Sequence, residues 1–175
     1  YQLKNLDSLT YRYGGKKFTI NEYINTFKVA GLIVVKDDKI FYENYNFGND
    51  ETTKWMSFSV TKSVTSMLIG AAIKDGFIKS VNDPISTYVT DLNHGNYSNI
   101  SIEDVLHMSS GIDWNEDYAD ANSDVNIASA FNDTKLYNYL NKLEVLNKPG
   151  TKFNYNTAES NVIGGIVRAA TGQNL

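Results

Sequence analysis

The sequence predicts an α+β fold, an antiparallel sheet flanked by helices, and two observations carry that expectation. Apolar stretches over residues 29–45 have the length and turn punctuation of a β-hairpin. After residue 57 the apolar positions instead recur at helical spacing, over residues 60–73, 135–146 and 158–170. A hairpin followed by packed helices is α+β in class.

Taken in order, residues 1–28 are polar and weakly patterned, with a short helix expected over Asn21 to Phe27. Val29 to Val35 reads as a strand, Lys36-Asp37-Asp38-Lys39 as a turn, and Ile40 to Tyr45 as the returning strand. Residues 46–56 loop across to a helix over Val60 to Ile73, which Gly76 closes as a left-handed C′ residue. Pro84 in a first-turn position starts a short helix, and Ser101 caps another whose Val105, Leu106 and Met108 feed the core. Residues 109–133 read as an acidic loop and Lys135 to Leu146 as a helix. Pro149-Gly150 turns the chain, Phe153-Asn154-Tyr155 is short and extended, and Ala158 to Ala170 is helical with Val162, Ile163, Ile166 and Val167 on its apolar face. No repeat or interdomain linker is visible, so residues 1–175 are expected to form one domain. A lone two-stranded sheet is marginal in water, which calls for further strands beside the 29–45 hairpin.

Composition narrows the partners. A net charge of −4, a pI of about 5.1 and the lack of a basic stripe with interleaved aromatics argue against nucleic acid. No apolar run nears the roughly 20 residues of a membrane span. Absence of cysteine fits cytosol and export alike, while tyrosine at position 1 fits a removed leader and leans the expectation toward an exported or periplasmic protein. The isolated His94 and His107 give no metal-ligand spacing, and no cofactor is called for. Asp113, Glu116, Asp117, Asp120 and Asp124 read as a solvated acidic loop rather than as a calcium site.

The chemistry concentrates in Ser59-Val60-Thr61-Lys62. Residues three apart share a helix face, so the Lys62 ammonium can reach the Ser59 hydroxyl. Lys62 is also the only charge between Lys54 and Lys74. Its helix is apolar on most of its surface, through Val60, Val64, Met67, Leu68, Ala71 and Ala72, which marks the helix as central and turns Lys62 toward a cleft. Desolvation there favours the neutral amine, a general base beside a nucleophile. Ser59 at the helix start places a developing oxyanion in the positive field of the helix N-terminus. The bland alternative is a capping serine followed by a solvated lysine. A Ser-His-Asp triad ranks well below the lysine arrangement, because neither histidine follows a triad motif and Gly-x-Ser-x-Gly is absent.

Three blocks then carry a family resemblance. Trp55-Met56-Ser57-Phe58-Ser59-Val60-Thr61-Lys62-Ser63-Val64-Thr65-Ser66, Met108 through Tyr118, and Pro149 through Tyr155 running on to Gly172 resemble, in that order, the penicillin-recognising serine hydrolases. That group comprises serine β-lactamases, DD-peptidases and related esterases, and Ser-x-x-Lys is its signature. The blocks are most similar to the branch of class C β-lactamases and 6-aminohexanoate-dimer hydrolases.

The resemblance implies a β-lactamase/transpeptidase-like fold of which this chain is the N-terminal half: a sheet hairpin at about 29–45, a helical part at about 57–172, and later strands missing along with the Lys-Thr-Gly or His-x-Gly-like triplet they carry. It implies that Tyr155 is the second catalytic side chain, where the residues alone read as a buried aromatic after a Pro-Gly turn. Tyr118 matches a tyrosine that lies over the substrate in nylon-oligomer hydrolases, against an exposed loop aromatic on sequence alone. The asparagine that usually follows the catalytic tyrosine is replaced by Thr157 and Glu159, which puts the Glu159 carboxylate at the substrate site with an influence on Lys62 or Tyr155. The expected function is a serine hydrolase acting through an acyl-enzyme on a small-molecule amide, ester or β-lactam. The alternative is a non-catalytic binding or regulatory module on the same penicillin-binding scaffold.

Overall fold

All the strands of the computed structural model, which describes residues 8–173, fall before Met56. There the chain divides into two units, one of the residues up to Met56 and one from Ser57 onward.

In the first unit β1 (Thr10–Tyr13) and β2 (Lys16–Thr19) pair antiparallel across Gly14-Gly15. This hairpin lies in the stretch the sequence left without strands. Four-residue strands rich in lysine and arginine show no alternation, and the Gly-Gly turn was their one signal. Tyr11 stacks on Phe18 with ring centroids 5.4 Å apart and meets Tyr23 edge-on at 6.1 Å. Those contacts tie the hairpin to α1 (Ile20–Phe27), which opens with a Thr19–Glu22 capping box and ends at left-handed Lys28. β3 (Gly31–Lys36) and β4 (Lys39–Tyr45) pair from Gly31 opposite Tyr45 to Lys36 opposite Lys39. The turn between them is Asp37-Asp38, with φ of 49° and 57°, the doubly left-handed geometry that matches the twist of a hairpin. The described residues of the unit thus hold two separate two-stranded sheets.

The second unit is helical. A single 3₁₀ turn at Phe58–Val60 leads into α2 (Thr61–Lys74). At its far end the Phe77 amide donates to Ala72 O and the Gly76 amide to Ile73 O, with Gly76 at φ 81°, which satisfies the last carbonyls in a Schellman motif. α3 (Ile102–Leu106) starts from a reciprocal Ser101–Asp104 capping box. Two sequence expectations need correction here. Within the 109–133 loop, buried Ser123 caps a short helix α4 (Asp124–Ala128). The helix expected to Leu146 is α5 (Asp133–Leu140), and it stops early because the following residues pair back: the Asp113 amide donates to Glu144 O and the Leu146 amide to Gly111 O. α6 (Thr157–Thr171) is capped by Asn156 and ended by Gly172.

The core lies among these helices, where Ile85, Leu92, Ile102, Leu140, Val162 and Ile166 are wholly buried. α6 packs against α2 and α3. α2 is not the enclosed helix that its sequence predicts. Ile69 and Ala72 are buried, but Val60, Val64 and Met67 are 70%, 57% and 71% exposed. Apolar periodicity reports which faces can be buried, and the described residues cover only one. No helix among them is long and apolar enough to cross a membrane.

Candidate acyl-transfer site

Ser59 owes its presentation to the residue before it. Phe58 has φ 44°, a left-handed conformation that costs a non-glycine residue about 1–3 kcal/mol. That kink starts the 3₁₀ turn and leaves the Ser59 side chain exposed at the entrance to α2. One turn on, half-buried Lys62 donates from Nζ to Ser59 Oγ at 2.8 Å. Lys62 Nζ also stands 5.5 Å from the centroid of the Tyr155 ring, within cation–π range.

Tyr155 reaches this place from the segment before α6. Its neighbours are anchored on both sides: the Asn154 amide donates to Met108 O at 2.8 Å and Asn154 Nδ2 to Trp114 O at 3.1 Å, while the Asn156 side chain caps α6. Ser59, Lys62 and Tyr155 line one cleft of about 260 Å³. Val105, Leu106, Met108 and Ile163 supply its apolar wall. Ser160 lines it too, a polar residue that the sequence reading passed over. Its signal was its place on α6, one turn after Asn156.

The two residues expected to bind substrate lie elsewhere. Tyr118 is 64% exposed and lines an adjacent cavity of about 320 Å³ with Trp114, Phe131 and Thr157. Glu159 is a correction: it is 1% exposed, faces inward from the first turn of α6, and does not line the cleft. Its carboxyl accepts from the Tyr97 hydroxyl at 3.2 Å and from Asn156 Nδ2 at 3.4 Å. Burial pushes its pKa up to about 7, against the Ser110 and Tyr97 hydroxyls, which favour the charged form, and with Asp104 adding to the rise. Thr157, the other departure, is engaged by Glu116.

Glu116 is the residue that sequence reasoning undervalued. It accepts from the Trp114 indole at 2.5 Å, the Thr157 amide at 3.0 Å, the Tyr118 hydroxyl at 2.7 Å and the Thr157 hydroxyl. Burial raises its pKa, but these donors outweigh it and leave the carboxyl below its ordinary value. It therefore ties the loop carrying Tyr118 to the N-terminus of α6, where a carboxylate is also favoured by the helix dipole. Its neighbours are spent on the backbone in the same way: Asp124 accepts from the Asn115 amide at 2.6 Å, Asp117 from Ala119 and Asp120 from Asn122. The loop is internally bonded rather than simply solvated. Among the described residues no group of acidic or histidine side chains is arranged to hold a metal ion.

The chain is similar to several known proteins. The 6-aminohexanoate-dimer hydrolase of Paenarthrobacter ureafaciens is 31% identical over 150 residues, which cover 81% of this chain and 38% of that protein. Among solved structures, a Bacillus anthracis protein described as a 6-aminohexanoate-dimer hydrolase superposes with a TM-score of 0.76 at 21% identity, over 98% of this chain and 48% of its own. A class C β-lactamase superposes with a TM-score of 0.67 at 22% identity, over 87% of this chain and 42% of its own. The likeness to these structures is one of fold, β-lactamase/transpeptidase-like, and the chain spans less than half the length of each relative. The family model described as Beta-lactamase matches residues 22–175, which takes in the Ser59–Lys62 turn, the 108–118 segment and Tyr155. The chain belongs to the β-lactamase family.

Proposed function

We propose that the protein is a serine hydrolase that works through an acyl-enzyme on small amide, ester or β-lactam substrates, of the 6-aminohexanoate-dimer hydrolase kind. The supporting observation is the 2.8 Å contact between Lys62 Nζ and Ser59 Oγ in a cleft that also holds Tyr155. Ser59 Oγ attacks the carbonyl carbon as Lys62 takes the hydroxyl proton. The Ser59 amide, at the head of α2, donates to the oxyanion. As the tetrahedral intermediate collapses, the bond to the leaving nitrogen or oxygen breaks, and Tyr155 delivers the proton that the departing group needs. Lys62 returns to Tyr155 the proton it took, then takes one from water as that water attacks the Ser59 ester, and this proton passes to the departing Ser59 Oγ. The cleft wall of Val105, Leu106, Met108 and Ile163 suits an aliphatic acyl chain, which favours a linear amide or ester.

The test is covalent labelling of the full-length protein with a fluorophosphonate, followed by peptide mapping. The adduct is expected on Ser59, and labelling of Ser63, Ser66 or Ser110 instead would reject the assignment. Lys62→Ala and Tyr155→Phe should each lower turnover of a p-nitrophenyl ester by roughly a hundredfold with the fold retained, the effect of losing one positioned acid or base. Tyr155→Phe removes a single oxygen, so unchanged turnover in that variant would return Tyr155 to a packing role.

A further inference from the structure

A buried polar cluster next to Tyr155 takes no part in the chemistry proposed above. Glu159 Oε1 accepts from the Tyr97 hydroxyl at 3.2 Å and from Asn156 Nδ2 at 3.4 Å, and the Glu159 amide donates to Asn156 Oδ1 at 3.2 Å. Asn156 Nδ2 reaches the Tyr97 hydroxyl as well, at 3.5 Å. All three side chains are 1% exposed or less. A carboxyl is a poor choice for filling such a space, because an apolar group of the same size would avoid the cost of desolvating it. What the carboxyl does hold is Asn156, the residue that follows Tyr155 and caps α6. With Asn154 bonded to Met108 and Trp114 on the other side, Tyr155 sits on an extended segment pinned at both ends.

We propose that Glu159 is a positioning residue for Tyr155, fixing through Asn156 and Tyr97 the extended segment that aims the phenol into the cleft. The proposal rests on the reading of Tyr155 as a catalytic group. Burial holds the proton on Glu159 up to about pH 7. The groups that face it from the neighbouring segments, Tyr97, Ser110 and Asn156, are uncharged, and the charge that acts on it is the Asp104 carboxylate of α3, whose like sign opposes ionisation. Its burial leaves an ionised form poorly solvated, a cost that outweighs the Ser110 and Tyr97 hydroxyls that favour the charge. Ionisation therefore puts an uncompensated charge into the enclosed cluster, and the groups around it, with the aim of Tyr155, shift to solvate that charge.

The experiment uses the full-length protein and four forms of it: the parent, Glu159→Gln, Glu159→Ala and Tyr97→Phe. The kcat and KM for a p-nitrophenyl ester are followed from about pH 5 to 9, and the ring resonance of Tyr155 is read in protein carrying ¹³C-tyrosine, assigned with Tyr155→Phe. Glu159→Ala should lower kcat by about tenfold or more with KM changed less than about twofold, and should shift or broaden the Tyr155 resonance. Glu159→Gln keeps an acceptor and stays neutral, so it should hold kcat within about threefold and lack the parent's loss of activity above about pH 7. Tyr97→Phe should fall between the two. An unchanged kcat and resonance in Glu159→Ala or Tyr97→Phe overturns the proposal, as does a parental pH profile in Glu159→Gln. If Glu159→Ala fails to fold, the other two variants decide. A resonance that moves while kcat does not would keep the positioning role and reject the catalytic reading of Tyr155, so the two failures are distinguishable.

Discussion

A carboxyl buried as deeply as Glu159 ties folding stability to pH. Unfolded, it titrates near its ordinary 4.5; folded, near 7. The folded chain therefore binds this proton more tightly, and its contribution is fully present below pH 4.5 and is lost as pH rises toward 7. The difference of about 2.5 pH units corresponds to about 3 kcal/mol. Urea unfolding at about pH 5 and pH 8 should show the parent losing stability on that scale and Glu159→Gln losing far less. Equal losses in both proteins would mean that the carboxyl ionises freely in the folded state. Sequence could place a carboxylate four residues after Tyr155, but not its direction, because rotation of α6 about its axis is set by what the helix packs against. Ser160, one position on, faces the cleft instead.

At the scale of elements, local signals and long-range pairing contribute differently. The capping boxes of α1 and α3, the Schellman end of α2 and the Asp37-Asp38 turn are short-range devices, each written in a few consecutive residues. The end of α5 is of the other kind. Its periodic residues continue past Leu140, yet the chain turns out to meet Gly111 to Asp113. Gly111 makes that meeting feasible: its φ is 82°, and a Cβ there would stand 2.0 Å from the Asn147 carbonyl oxygen. Gly111→Ala should therefore cost about 3 kcal/mol or more, combining the left-handed penalty with a clash against backbone that has no room to yield. The check is the urea midpoint at constant m-value. A loss below about 0.5 kcal/mol would show that the two segments separate freely.

Over the whole molecule, the exposed Phe58, Val60, Val64 and Met67 are the largest departure from what the sequence predicts. Four large apolar side chains at one end of α2, each at least 57% exposed, mark a surface that is poorly tolerated in water. Residues 1–175 produced alone should self-associate, and Val64→Lys with Met67→Lys should restore a monomer at sedimentation equilibrium. A monomeric parent chain would mean that this face is tolerated bare.

By itself the sequence determined what depends on near neighbours. It placed Ser59 against Lys62, because three residues on a helix span a fixed distance; it set the caps and hairpin turns; and it carried the blocks of the β-lactamase family. Only the tertiary structure decided which side chains meet across the chain. It brought the Tyr155 ring to Lys62, set Tyr118 at a neighbouring cavity, enclosed Glu159 with Tyr97 and Asn156, and left one face of α2 uncovered. Those outcomes follow from how helices pack, and periodicity shows that a face can be buried without showing what will bury it.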